Sequence, residues 1–571
     1  MAMPSLCPVE LLSLWPSQWQ YQLVVTIAAI GLMCTLTFAI TSLQFEKARR
    51  GKAEVKAPPT LPYWIPIVGH TFSVMLDNMK LNFYIAERFA DTPVRLKLFF
   101  WDLYIITGPQ YISSIFKQTA AFRQDNSIRR STVFRIFGTP PDVAKAYLED
   151  DSGFHNTPLP NSNVEPRNRI GYLIHRDLIK WLSGSGLREL AEKFSANLIE
   201  HLETTKEVTM DWRELPDLLG FMQSELFNAA TRAFCGEHLF TVYPDLAEDI
   251  WEFDKGIPSL AKGIPRWMKP SIYQAQQKAI KGIAAWHEYV RKYVEQHGMP
   301  DDPKTVREVF GNDFMKNRFE MWWKMDHMSS NVKGPASDDL SLIWGASGNS
   351  IPSAFWFSFH ILRSPSLLSN IRKQIEPCIS ISSNGKLEID ITTLCSNPLL
   401  QSAYMETVRL YVSLTMMRRP EESELRVGEW VLPKKSILLI PSSCVHRNQK
   451  LWEGIGKASS DKSSPDQSIN SFWAERFLKY PEKGSNSGDP VFSAENLTGY
   501  WLPFSGGTNI CLGRNFAKQE IIGTMALMVT LFDIEILGDE NVGEPDEEGI
   551  FGFGVMKPKG KVPFKIRRRQ S

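Results

Sequence analysis

Apolar and polar positions change their rhythm several times along this chain. Residues 23–43 (LVVTIAAIGLMCTLTFAITSL) carry no charge and form a run long enough to cross a bilayer as one helix. From about residue 72 onward, apolar positions recur mostly at helical spacing, with strand-like stretches at 94–98 and 103–107. Residues 172–198 are helical in pattern, break at Ser183-Gly184-Ser185-Gly186, and resume. Residues 338–365 (DDLSLIWGASGNSIPSAFWFSFHILRSP) predict one long buried helix, capped at its start by Ser337 or Asp338. Gly345, Gly348, Asn349 and Pro352 are locally unfavourable inside it, which points either to a strained segment forming a groove over a bound group or to a kink stabilised by packing. Asn397-Pro398 reads as an N-cap followed by proline at the first helical position. Residues 430–441 (WVLPKKSILLIP) alternate like paired strands around a Pro-Lys-Lys turn.

The flanks of the apolar run orient it. Trp15, Trp19 and Tyr21 stand on one side as interfacial aromatics; Lys47, Arg49, Arg50, Lys52 and Lys56 follow on the other. That asymmetry places residues 1–22 in the lumen, 23–43 in the membrane and the bulk of the chain in the cytosol. A cleaved signal peptide would have a shorter apolar region, with its basic residues first. Four prolines within residues 57–70 (APPTLPYWIPIVGH) forbid a helix, so residues 44–70 read as a basic, proline-rich linker. Residues 71–571 show no internal repeat and no boundary between two globular units. Residues 454–470 (GIGKASSDKSSPDQSIN) read as a polar surface loop.

Composition narrows the field. With 571 residues, 43% of them hydrophobic, the chain can bury a large core. A formal net charge of +1 gives no electrostatic case for nucleic acid. Seven cysteines at irregular spacing, none in a Cys-x-x-Cys pair, suggest a reducing compartment without a zinc or disulfide framework.

One cysteine stands apart. Residues 500–520 (YWLPFSGGTNICLGRNFAKQE) form a glycine-rich loop around Cys511, followed by helix-forming residues. Glycine at Gly507 and Gly513 lets the backbone adopt positive φ and approach a flat ligand closely. Near a helix N-terminus the Cys511 thiolate gains over the thiol. A thiolate beneath a planar cofactor is, chemically, a haem axial ligand. A lone Cys-x-Gly would mean only a small buried hydrophobe. The pattern Phe504-x-x-Gly507-x-x-x-Cys511-x-Gly513 is rarer, arising by chance on the order of once in several hundred such chains. Elsewhere, Glu406 and Arg409 share a helix face, Arg476 supplies a second arginine, and His175-Arg176 offers a cation to an anionic partner.

The Cys511 loop resembles the haem-binding loop of the cytochrome P450 family. The resemblance extends in order through the anchor, the proline hinge, the irregular helix, Glu406-x-x-Arg409 and the Phe472–Phe477 segment FWAERF, covering essentially the whole chain from the anchor onward. It implies a mainly α fold with small β-sheets, the haem-thiolate fold, plus one N-terminal transmembrane helix. It also implies haem b with Cys511 as the axial ligand to iron and Phe504, Gly507 and Gly513 shaping the loop. Glu406, Arg409 and Arg476 match the family's charged lock beneath the haem, with Ala474 in place of the more usual proline. The Trp-x-x-x-Arg/His pattern that reaches a haem propionate has Tyr172 at the tryptophan position if Arg176 is its basic member; Arg418 or Arg419 is a further candidate. Where the family carries an acid and a threonine for protonating bound dioxygen, this chain has Gly348 and Asn349. The wording WGASGNSIPSAFW is most similar to the subgroup of prostacyclin synthase and the cholesterol and oxysterol 7α-hydroxylases, which holds both hydroxylases and an isomerase.

Taken together, the resemblance implies a single-pass protein of the endoplasmic reticulum membrane whose residues 71–571 form a cytosolic catalytic domain. The expected activity is insertion of oxygen from O2 into a lipophilic small molecule of steroid, terpenoid or indole type, in fungal-style secondary metabolism. Electrons would come from NADPH through a separate NADPH-cytochrome reductase. The alternatives are a haem-thiolate isomerase or dehydratase that uses no NADPH, and a non-catalytic haem-binding sensor.

Overall fold

A computed structural model describes residues 18–122, 132–421, 423–453, 468–480, 488–549 and 552–569. Residues 1–17 and most of the expected polar loop at 454–470 lie outside that set. The first helix, Gln18–Arg50, has 33 residues and is about 50 Å long at about 1.5 Å per residue. Its side chains are exposed along the apolar run, Leu23, Ile27, Ile30 and Leu36 among them. It continues past residue 43, because Phe45 buries itself against Leu61, Ile85 and Val94 and gives the last turns a tertiary partner.

The proline-rich linker is therefore no loose tether. Leu61 N–H donates to the Arg95 carbonyl (2.9 Å) and Arg95 N–H to the Pro59 carbonyl (2.9 Å), laying the segment along a strand. That strand, Val94–Lys97, pairs antiparallel with Asp102–Ile105 and opens a five-stranded sheet continued by Ile437–Pro441, Val412–Arg418 and Phe553–Val555. Four smaller sheets complete the β content of the described residues, and helices make up most of the rest.

Two expectations change. Trp430–Leu432 and Ile437–Pro441 are both strands, yet they do not pair with each other. The first pairs with Leu425–Val427 and the second joins the large sheet, because the turn through Lys435 (φ 62°) sends them to different partners. The expected long helix is two, Lys333–Ser347 and Ser350–Leu362, separated at Gly348-Asn349. The break removes the strain that the sequence suggested. Pro352 lies in the first turn of the second helix, where its missing N–H would have had no intrahelical partner. The first helix also starts earlier than expected, since Ser337 and Asp338 lie inside it. There the Ser337 hydroxyl bonds the Gly334 carbonyl (2.8 Å).

Asn397 caps Pro398–Tyr411 as its sequence predicts, its side chain accepting from Leu400 N–H at 3.1 Å. This helix and Arg514–Leu531 both pack on Ser350–Leu362, whose residues are almost all buried. Trp356 stacks flat on Tyr411 with centroids 3.9 Å apart and donates from Nε1 to the Met556 carbonyl (2.6 Å). The indole thus buries its ring and satisfies its one donor together. Three helices are thereby locked around one interior space.

Candidate active site

Residues 500–513 reach the centre of the molecule as irregular backbone ahead of the Arg514–Leu531 helix. Cys511 N–H donates to the Phe504 carbonyl at 2.9 Å, closing the loop between the two ends of the motif. Gly507 holds φ +63°, and a Cβ on its neighbour Gly506 would strike the Phe116 ring at 2.3 Å, so both glycines answer a geometric need. Arg418 braces the loop, donating to Ser505 Oγ (2.9 Å) and the Gly506 carbonyl (2.8 Å). Arg419 turns instead to the Lys435 carbonyl and Glu421.

Cys235, Cys395 and Cys444 are buried, and desolvation pushes the Cys395 thiol up to about 12 and raises the other two as well. They behave as small hydrophobes. Cys511 differs: its accessible surface faces an internal cavity while protein encloses it on the remaining sides. Burial pushes its thiol up, opposed by the Gly513 and Arg514 backbone N–H groups and by the Arg514 guanidinium. The helix start therefore acts as expected, although burial outweighs it in the bare protein. A cation at Sγ would tip that balance toward thiolate.

The cavity measures about 560 Å³. Phe504, Cys511 and Gly513 of the cysteine loop line it, as do Gly345, Ala346 and Asn349 of the helix pair. Gly513 does not take the expected positive φ but φ −79°, because it caps the Arg514–Leu531 helix; a Cβ there would meet only Cys511 Sγ at 3.9 Å, and one on Gly345 nothing within 4 Å. Both the cysteine loop and the helix pair thus present open space to the same cavity.

Asn349 occupies the helix break, where its Oδ1 accepts from Val555 N–H at 3.1 Å. That bond holds the side chain in place and leaves two N–H donors and a second oxygen lone pair for the cavity. Gly348 does not line the cavity; a Cβ there would collide with the Trp344 indole at 2.5 Å. Glycine at 348 therefore serves packing, because the Trp344 ring lies over it.

Behind the loop, Glu406 stands between two arginines. Arg409 donates Nε to Oε2 (2.7 Å) and Nη2 to Oε1 (2.9 Å); Arg476 donates Nε to Oε1 (2.8 Å). All three side chains are buried, and further arginine N–H groups bond the carbonyls of His446, Ile469, Ser468 and Ser471. His446 links this lock to the cysteine loop: its carbonyl accepts from Arg409, and its Nε2 accepts from Leu502 N–H at 2.8 Å. Burial, aided by Arg409, lowers its pKa to about 3, so the ring is neutral and can accept.

The structure does not bring Arg176 to this cavity. Its side chain is half exposed and pairs with the buried carboxylate of Asp177 at 3.0 Å, which is its immediate neighbour. His175 of the same turn lines a second cavity of about 480 Å³, beside Gly507 and Arg514.

Glu520 is a site residue that sequence reasoning passed over, although it falls within the cysteine stretch. It is fully buried and lines the main cavity, and neither carboxyl oxygen has a well-formed hydrogen bond. Burial pushes its pKa up to about 8, with the Ser350 hydroxyl acting in the opposite sense, so it holds a proton at neutral pH. Its spacing of nine from Cys511 carries no signal without the fold.

Comparison with known proteins agrees with this geometry. A family model described as Cytochrome P450 matches residues 183–564. The chain is 31% identical to the cytochrome P450 monooxygenase fsoE of Humicola fuscoatra, over 96% of this chain and 95% of that one. It is 30% identical to the cytochrome P450 monooxygenase efuG of Hormonema carpetanum, over 97% and 98%. Cytochrome P450 7A1 of Oryctolagus cuniculus is more distant, at 24% identity over 71% of this chain and 77% of that one. Since the family match takes in the Cys511 loop and the charged lock, and relatives align over nearly their whole length, the chain belongs to the cytochrome P450 family.

Proposed function

We propose that this protein is a membrane-anchored monooxygenase that inserts oxygen from O2 into a lipophilic small molecule of steroid, terpenoid or indole type, in secondary metabolism. The observation that carries the reading is that Cys511 and Asn349 line one largely apolar cavity. The family implies haem iron held by a cysteine thiolate, and the residues present fit that group: a soft sulfur donor on a braced loop, with open space beside Gly513 and Gly345 in the same cavity. When bound, haem supplies activation of dioxygen, and thiolate donation favours O–O cleavage.

This chain's own residues supply orientation and exclusion of water. Phe504, Gly507 and Gly513 shape the loop that presents Cys511, and Glu406, Arg409 and Arg476 keep that side of the site in one arrangement. Asn349 takes the place of the family's hydroxyl, offering N–H groups to orient an oxygen or a water; Gly348 contributes by permitting the helix break. Of the basic residues, His175 is better placed than Arg176 to meet an anionic edge of the cofactor.

Residues 1–22, 23–43, 44–70 and 71–571 are assigned as lumenal segment, anchor, linker and cytosolic catalytic domain of a single-pass protein of the endoplasmic reticulum. Exposed Trp64, Phe72, Phe99 and Trp101, with Thr71 bonded to Phe99 N–H (3.2 Å), support seating against the bilayer beside the anchor. NADPH electrons are assigned to a separate membrane-bound reductase.

The test is metabolite mass spectrometry on deletion and wild-type strains grown under heavy-isotope dioxygen. The expected result is a product that disappears on deletion and carries the heavy oxygen. A lost product whose new bonds carry none, with turnover independent of NADPH, would favour the second reading, an isomerase or dehydratase, for which Gly348-Asn349 is the motive. With purified reductase, Asn349→Ala is expected to raise the NADPH consumed per product several-fold. Unchanged coupling would remove Asn349 from the chemistry.

A further inference from the structure

The cavity-facing stripe of the Lys333–Ser347 helix is Asp338, Ser341, Leu342, Gly345 and Ala346, continued by Asn349. These positions recur every three or four residues and so share one face. Eleven residues at about 1.5 Å each put Asp338 about 16 Å from Asn349 along the helix. Small or apolar residues lie between, and Val133, Phe137, Ile174 and Leu178 line the same cavity. The remote end is polar, and it is built from four helices.

Arg318, on Asp313–Lys324, is 1% exposed and reaches Asp339 through Nε (3.0 Å) and Nη2 (2.6 Å). His287 Nε2 lies 2.7 Å from the other Asp339 oxygen. These contacts staple the helices together and satisfy a wholly buried carboxylate. Asp338 is different. Its Oδ2 accepts from Arg318 Nη2 (2.7 Å) and its Oδ1 from the Tyr147 hydroxyl (3.0 Å), yet its side chain stays 21% exposed and lines the cavity. A carboxylate has about four lone-pair sites. Two protein donors leave acceptor capacity directed at whatever occupies the chamber.

We propose that Asp338, oriented by Arg318 and Tyr147, is a specificity-determining acceptor that holds a hydroxyl group at the far end of an elongated, rigid lipophile whose reacting carbon lies beside Asn349 and Cys511. This rests on the cavity being the substrate chamber of the proposed monooxygenase. The substrate class it selects is a fused-ring alcohol. A ketone at the same place would set an acceptor against a carboxylate.

The test uses the full-length, haem-loaded protein in detergent or nanodiscs and three tetracyclic steroid probes identical except at C3: 3-hydroxy, 3-deoxy and 3-oxo. Affinities are read by equilibrium dialysis with mass spectrometry. The hydroxy probe is expected to bind about tenfold more tightly than the deoxy probe, and the oxo probe no better than the deoxy. Asp338→Asn, which keeps the side-chain shape beside Arg318 and Tyr147, is expected to reduce the hydroxyl preference to about threefold or less, with the deoxy affinity unchanged. Equal affinities in the wild-type protein, or a preference untouched in Asp338→Asn, would overturn the assignment. So would failure of all three probes to bind a protein showing the thiolate spectrum. Failure to bind together with absence of that spectrum would instead sink the monooxygenase reading on which the proposal depends. The three-probe series needs no variant, so the proposal stays testable if Asp338→Asn does not fold.

Discussion

Cys511→Ala is expected to abolish turnover and to eliminate the thiolate spectrum, while the apoprotein keeps its secondary structure. The loop does not depend on the sulfur for its shape. Cys511 contributes its backbone N–H to Phe504, and Arg418 holds Ser505 and Gly506 from the side. The thiol faces the cavity, and the protein groups near it are donors: the Gly513 and Arg514 N–H groups and the Arg514 guanidinium. Two backbone donors at the sulfur, and a guanidinium nearby that is itself bonded to the Cys511 carbonyl (2.9 Å), favour negative charge there, and alanine offers none. The checks are a reduced carbon-monoxide spectrum, product formation, and far-ultraviolet circular dichroism of the same preparation. Thiolate ligation persisting in the variant would mean that another cysteine binds the iron.

Glu406→Gln is expected to destabilise the fold by about 3–5 kcal/mol, the usual cost of breaking a buried ion pair by removing one partner. Domains of this kind are stable by only about 5–15 kcal/mol, so haem retention should fall with it. Among the described residues the carboxylate is the one negative group hydrogen-bonded by Arg409 and Arg476, and all three are buried. Glutamine preserves shape but leaves two desolvated guanidinium groups with neutral acceptors alone. The damage should travel to the cysteine loop, because Arg409 holds His446 and His446 holds Leu502. Urea unfolding and haem content of purified protein measure both effects. A loss below about 1 kcal/mol with full haem content would show that the lock is dispensable.

How much of this was legible beforehand follows from the range of each interaction. The anchor, the cysteine loop, the Asn397-Pro398 helix start and the pairing of Glu406 with Arg409 depend on residues within a few positions of one another. Composition and spacing specify such features directly. Arg476 sits seventy positions from its partner, and resemblance to a family, rather than spacing, connected the two. The Cys511 thiol shows the other limit. Its helix N-terminus was readable, while the burial that opposes it was a property of the packed interior.

Where the reading of the chain departed from the structure, a long-range partner decided. Residues 338–365 look like one helix because apolar residues run through both halves, yet Val555 takes the Asn349 side chain and Trp344 covers Gly348, which together stabilise a break. Residues 430–441 alternate like a hairpin, but each strand finds a different sheet. Arg176 is a plausible cation in sequence and is claimed by Asp177 in space. Arg318, Tyr147 and Glu520 carried no signal and Asp338 only that of a helix cap, because their meaning lies in the cavity they line together. Local chemistry and an ordered set of motifs were enough to read the apolar N-terminal run, the family and Cys511 as the candidate ligand from the chain alone. Tertiary structure decided where the helix breaks, which charges are paired and which polar groups face the chamber, since burial and pairing exist only once distant segments have packed together.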